Sequence, residues 1–132
     1  MDKDALVTNL RKMSNKIIKD HKKVSLILLL GNNNKPEEEP TSFDYIISAS
    51  WLNNLSQDKG LDLILDYLYD NLTSDDLKHV SRVTIIHTND AIVKNMSMFG
   101  MSGGTAQFVN CQFGNLVIPY AILFESKNEN II

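Results

Sequence analysis

Phe43-Asp44-Tyr45-Ile46-Ile47-Ser48-Ala49 and Arg82-Val83-Thr84-Ile85-Ile86 are two short runs rich in β-branched and aromatic residues, and what lies between them decides the fold. From about residue 58 the intervening chain turns helical, with Leu61, Leu65, Leu68 and Leu72 recurring at four-three-four spacing as a core stripe. Strand, helix and strand within one sheet form a right-handed crossover, so the two runs are expected to be parallel neighbours. Their carboxyl ends then share one edge of the sheet.

Working outward, Val24-Ser25-Leu26-Ile27-Leu28-Leu29-Leu30 is an apolar run closed by Gly31, as expected of a strand buried on both faces. It is expected to pair antiparallel with 43–49 across residues 31–42, which hold two prolines, have no periodicity and read as a mobile loop. Leu6, Leu10, Met13 and Ile17 place a helix over roughly 4–21. Ser50 can cap a turn through Trp51 and Leu52, and Thr73-Ser74-Asp75-Asp76 resembles a capping box with Asp in its fourth place. After the 82–86 strand, Asn89 or Asp90 caps a helix over roughly 91–98, and the Gly-rich loop 100–104 breaks it. Two last strands, at about 105–112 and 116–125, form a hairpin around Gly114-Asn115, and 127–132 reads as a frayed tail. The expected fold is one α/β (α+β) domain over residues 1–126, a five-stranded mixed sheet in the order α-β-β-α-α-β-α-β-β with helices packed on it.

Bulk properties narrow the class. A chain of 132 residues can bury a core without disulfides, and the single cysteine, Cys111, leaves nothing to pair with inside it. With no signal-peptide pattern, the reading is a cytoplasmic protein, and no apolar run is long enough to cross a membrane. Residues 2–24 carry seven Lys or Arg against three Asp, a net +4, whereas residues 36–76 carry ten acids against Lys59, a net −9. Lys12, Lys16, Lys19 and Lys23 form a row that complements a ridge of Asp62, Asp66 and Asp70. Acidic balance and the lack of aromatics among the lysines argue against nucleic-acid binding, though an acidic partner for the basic helix stays open.

The crossover gathers Ser48, Ser50, Trp51, His87, Thr88, Asn89 and Asp90 at one edge, where open α/β sheets bind ligands beside helix amino termini. His87 and Asp90 are the acid–base candidates there, set against a plain capping role. Gly100-Met101-Ser102-Gly103-Gly104 matches G-x-S-x-G, but helix precedes it and strand follows, and no Asp or His comes after Ser102. His21, His79 and His87 lack metal-ligand spacing, so neither metal nor other cofactor is expected. On the 58–72 helix Leu63 and Tyr67 fall on a face away from the leucine stripe, which suits a partner or a second copy. The functional expectation is a protein-interaction module without catalysis that forms a homodimer, with Asn and Lys usage resembling that of an AT-rich bacterial genome. The alternative is a small-molecule, anion or nucleotide site, enzymatic or not, at the carboxyl edge of 43–49 and 82–86.

Overall fold

A computed structural model of the chain describes residues 3–31, 40–113 and 115–127. Its elements run α1 (Lys3–His21), β1 (Val24–Gly31), β2 (Phe43–Ala49), α2 (Ser50–Asn53), α3 (Gln57–Asn71), α4 (Ser74–Leu77), β3 (Val80–Ile85), α5 (Ala91–Ser97), β4 (Ala106–Phe113) and β5 (Leu116–Ser126). Five strands make one mixed sheet in the order β3-β2-β1-β5-β4. The β2–β3 pair is parallel, as the crossover requires, and every other pair is antiparallel. Consequently β2, β3 and β5 all end on the edge where β1 begins. Most of the loop expected at 31–42, and the tail beyond 127, fall outside the described residues.

Both faces of the sheet are covered, by different means. Leu6, Leu10, Met13 and Ile17 of α1 and Ile64 and Leu68 of α3 pack with Ile27, Leu29, Tyr45, Ile47, Ile122 and Phe124 on one face. On the other, Val93 and Met96 of the short α5 meet Leu26, Leu28, Ile46, Ala121 and Leu123. Alternation along β1 and β2 sends successive side chains to the two clusters.

Capping chemistry places the helices. Ser56 caps α3 by accepting the Lys59 N–H, and Asp90 caps α5 by accepting the Ile92 N–H. Thr73 and Asp76 form the capping box in full, with Asp in the usual Glu position. Asp76 is also held by the Asn9 side-chain amide at 2.7 Å, which ties α4 to α1.

The stripe on α3 differs from the expected leucine set. Gly60, Ile64 and Leu68 are the buried positions, and Leu61 and Leu65 are only half-buried, while Leu72 is buried at the helix end. The cause is Gly60: a Cβ there would meet Ile85 Cδ1 at 3.1 Å and Leu52 Cδ2 at 3.5 Å, so the bare backbone is the point of closest approach. The helix is therefore rotated by about one residue from the position that ranking side chains by hydrophobicity would assign.

The basic row and acidic ridge do not clasp. α1 and α3 lie side by side, yet Lys12, Lys16, Lys19, Lys23, Asp62, Asp66 and Asp70 are all exposed, and among the described residues no ion pair joins them. What joins these helices is Tyr67, whose hydroxyl donates to Asp20 Oδ2 at 2.7 Å and whose ring meets His21 edge-on. Burial and then the Asp20 carboxylate push the Tyr67 phenol up to about 12.

Substitutions on α3 check its rotation. Ile64→Ala should cost about 2–5 kcal/mol by urea denaturation, and Leu65→Ala less than half of that. Equal losses would put the leucine stripe back at the core.

Candidate functional site

The edge where β2, β3 and β5 end collects the residues singled out in the sequence, but divides them between different tasks. Ile86 continues the ladder by donating its N–H to the Ile47 carbonyl at 3.1 Å. The chain then leaves the sheet and turns into α5. Asn53 of α2, which the sequence reading passed over, fastens this turn: its amide nitrogen donates to Thr88 Oγ1 at 2.8 Å and its oxygen accepts the Thr88 N–H at 3.3 Å. Nothing local marks Asn53, because its partner lies 35 positions away.

His87 is exposed, and its Nδ1 accepts the Asn89 N–H at 3.0 Å, so a neutral ring carries its proton on Nε2. Asp90 Oδ1 accepts the Ile92 N–H at 3.0 Å, committing that carboxylate to the helix cap. Trp51 turns toward the α1 side, where its indole N–H donates to the Lys22 carbonyl at 2.9 Å and its ring stacks on His21 at 4.2 Å. Ser48 is fully buried, and its Oγ has no hydrogen-bond partner among the described residues. Ser50 is exposed at the start of α2. Thr88 and Asp90 are thus occupied by the turn, His87 and Asn89 face solvent, and Trp51 serves the α1–β1 joint. Among the described residues no group of three His, Cys, Asp or Glu side chains gathers as metal ligands.

A second polar node lies along the same edge, at the end of β5. Glu125 is 2% exposed, and its Oε1 has no hydrogen-bond partner among the described residues. Burial raises the Glu125 carboxyl above the usual carboxylate range, opposed by a hydrogen bond with Ser102 and by the charges of Lys127 and Arg11. Arg11 reaches from α1 to donate to the Phe124 carbonyl at 2.9 Å and lies 5.0 Å from the Phe124 ring centroid. Ser126 closes the node by exchanging bonds with Met101, N–H to carbonyl at 2.9 Å and Met101 N–H to Ser126 Oγ at 3.2 Å. The glycine-rich loop is therefore latched to the end of β5. Ser102, read from sequence as an inverted nucleophile motif, is one of the groups that hold it.

Two grooves formed by described residues lie away from this edge's polar groups. One, of 320 Å³, sits between the start of α1 and β4, with Val7, Thr105, Gln107 and Ile122 in its wall. The other, of 220 Å³, runs between α3, α4 and β3.

The carboxyl of Glu125 gives the node a pH signature. A folded-state value raised above the unfolded one stabilises the fold below the ordinary carboxylate range, and that contribution is lost as pH rises through the folded-state value. Glu125→Gln is expected to melt above the wild type at pH 7 and close to it near about pH 4, by thermal unfolding at both. A lower melting point at pH 7 would mean that the Ser102 hydrogen bond and the charges of Lys127 and Arg11 together outweigh burial.

No protein-family model matches the chain, and no curated protein is recognisably similar to it.

Proposed function

We propose that the protein is a non-catalytic interaction module of the cytoplasm, and that it works as a homodimer joined through the β4–β5 hairpin. One observation carries this reading. Residues 95–124 contain no Lys, Arg, Asp, Glu or His, and they form the end of α5, the glycine-rich loop, all of β4 and most of β5. β4 is the outermost strand on its side, where soluble monomers usually place charge or proline. In this hairpin the strand carries neither, and Val109 is 49% and Val117 63% exposed. Met98, 74% exposed, and Phe99 add to the same end of the molecule.

Asn110 shapes this surface. Its φ of 50° breaks the alternation of β4, so Phe108 and Phe113, an odd number of positions apart, come to one face. Their rings meet edge-on at 5.7 Å, and both pack on Phe99, at 5.0 and 5.5 Å. A two-fold interface sets equivalent regions against each other, where like charges repel; a surface without charge removes that penalty.

Leu63 and Tyr67 offer less, since both are half-buried and Tyr67 is bonded to Asp20. The small-molecule reading at the β2–β3 edge also has weaker support, because Asn53 holds Thr88 and capping holds Asp90.

Light scattering across a concentration series is expected to give twice the chain mass for the wild type. The Val109→Lys/Val117→Lys variant should give the mass of one chain with its melting point little changed. A wild type that stays monomeric at every concentration overturns the dimer.

A further inference from the structure

The 220 Å³ groove lies at the end of the sheet opposite the hairpin, beside the outer edge of β3. Leu65 and Leu68 of α3, Leu77 of α4 and Val80 and Val83 of β3 line it, with Tyr69, 65% exposed, on its rim. Among the described residues β3 pairs with β2 alone. The Ile86 N–H goes to Ile47, so the alternate residues Thr84 and Arg82 turn their backbone inward as well. The N–H and C=O groups of Val83 and Ile85 consequently face the open side. An apolar groove and outward backbone groups thus run alongside each other.

Charge selects what fits. Asp58, Asp62 and Asp66 are exposed on α3, at three- and seven-residue offsets from Leu65 and Tyr69 that put them along the groove's helical wall. Lys59 is the one base on this helix. Arg82 also lines the groove, but its guanidinium Nε lies 3.8 Å from Asp44 Oδ2, a carboxylate that also accepts from Thr84. Asp44 stands two positions from Ile46 on β2 and shares its face, and Ile46 packs in the α5-side cluster, so this pair belongs to the other face of the sheet.

We infer that this groove binds an extended peptide, added to β3 as a further strand, with an apolar residue flanked at two-residue spacing by Lys or Arg. Strand addition satisfies the outward backbone groups of Val83 and Ile85. The apolar side chain enters between the leucines and valines, and the flanking bases, on the same face of the added strand, reach the aspartates of α3. The site is separate from the hairpin and does not require the dimer.

The probe is a fluorescein-labelled peptide, Gly-Ser-Lys-Ser-Leu-Ser-Lys-Ser-Gly amide, read by fluorescence polarisation. It should bind at least about tenfold more tightly than the same peptide with Glu for Lys, and more weakly as salt rises. Val83→Pro removes an outward N–H without touching the β2 ladder, and should weaken binding about tenfold. Methylating the peptide's own Leu amide makes the same test on unaltered protein for an antiparallel added strand, and methylating the amide of the Ser after it makes the test for a parallel one. Asp62→Asn/Asp66→Asn should lower affinity and flatten the salt dependence, whereas Val109→Lys/Val117→Lys should leave both unchanged. Equal binding of the Lys and Glu peptides, indifference to both backbone changes, or no binding of the Lys peptide at millimolar concentration would each overturn the inference.

Discussion

The burial of β1 on both faces and its pairing along both sides is the constraint on which the other elements depend. Leu26, Ile27, Leu28 and Leu29 are fully buried, each worth about 1.5–3 kcal/mol relative to exposure. Ile27 and Leu29 join the cluster beneath α1 and α3, and Leu26 and Leu28 join the one beneath α5. The strand thus belongs to both hydrophobic layers at once, with β2 on one side and β5 on the other. Loss of its register would expose the two layers together, since a slip of one residue exchanges their side chains.

A sheet so anchored at its middle leaves its margins free to differ. The β3 margin is short, lies beside an apolar groove and is bordered by the aspartates of α3. The β4 margin is uncharged, carries a left-handed residue at Asn110 and is backed by three phenylalanines. Polar work falls on the edge where β2, β3 and β5 end: Asn53 holds the turn into α5, and Ser102, Met101 and Ser126 hold the glycine-rich loop. These bonds maintain the connections between elements and leave the two margins as the open surfaces.

Much of the fold was legible in local pattern. The doubly apolar run at 24–30 and the caps at Thr73 and Asp90 depend on neighbours within a few residues, which spacing reports directly, and the parallel pairing of 43–49 with the following strand follows from the order strand, helix, strand. What spacing missed depends on contacts distant in sequence. Gly60 carries no hydrophobic signal, yet its lack of a side chain sets how α3 meets Ile85. Arg11 and Phe124 are 113 positions apart, and Asn53 and Thr88 are 35 apart. Phe108 and Phe113 would point to opposite faces of a regular strand, and only the left-handed backbone of Asn110 brings them together. Topology dictates which strand ends share the candidate edge, while the direction each side chain takes there is set by hydrogen bonds that topology does not contain.

The joint between α1 and β1 turns on Lys22 and Lys23, both with positive φ, and the indole of Trp51 clamps it by bonding the Lys22 carbonyl while stacking on His21. The chain holds a single tryptophan. Its emission, excited at the red edge where the four tyrosines do not absorb, is therefore a built-in optical gauge of whether the first helix is seated on the sheet.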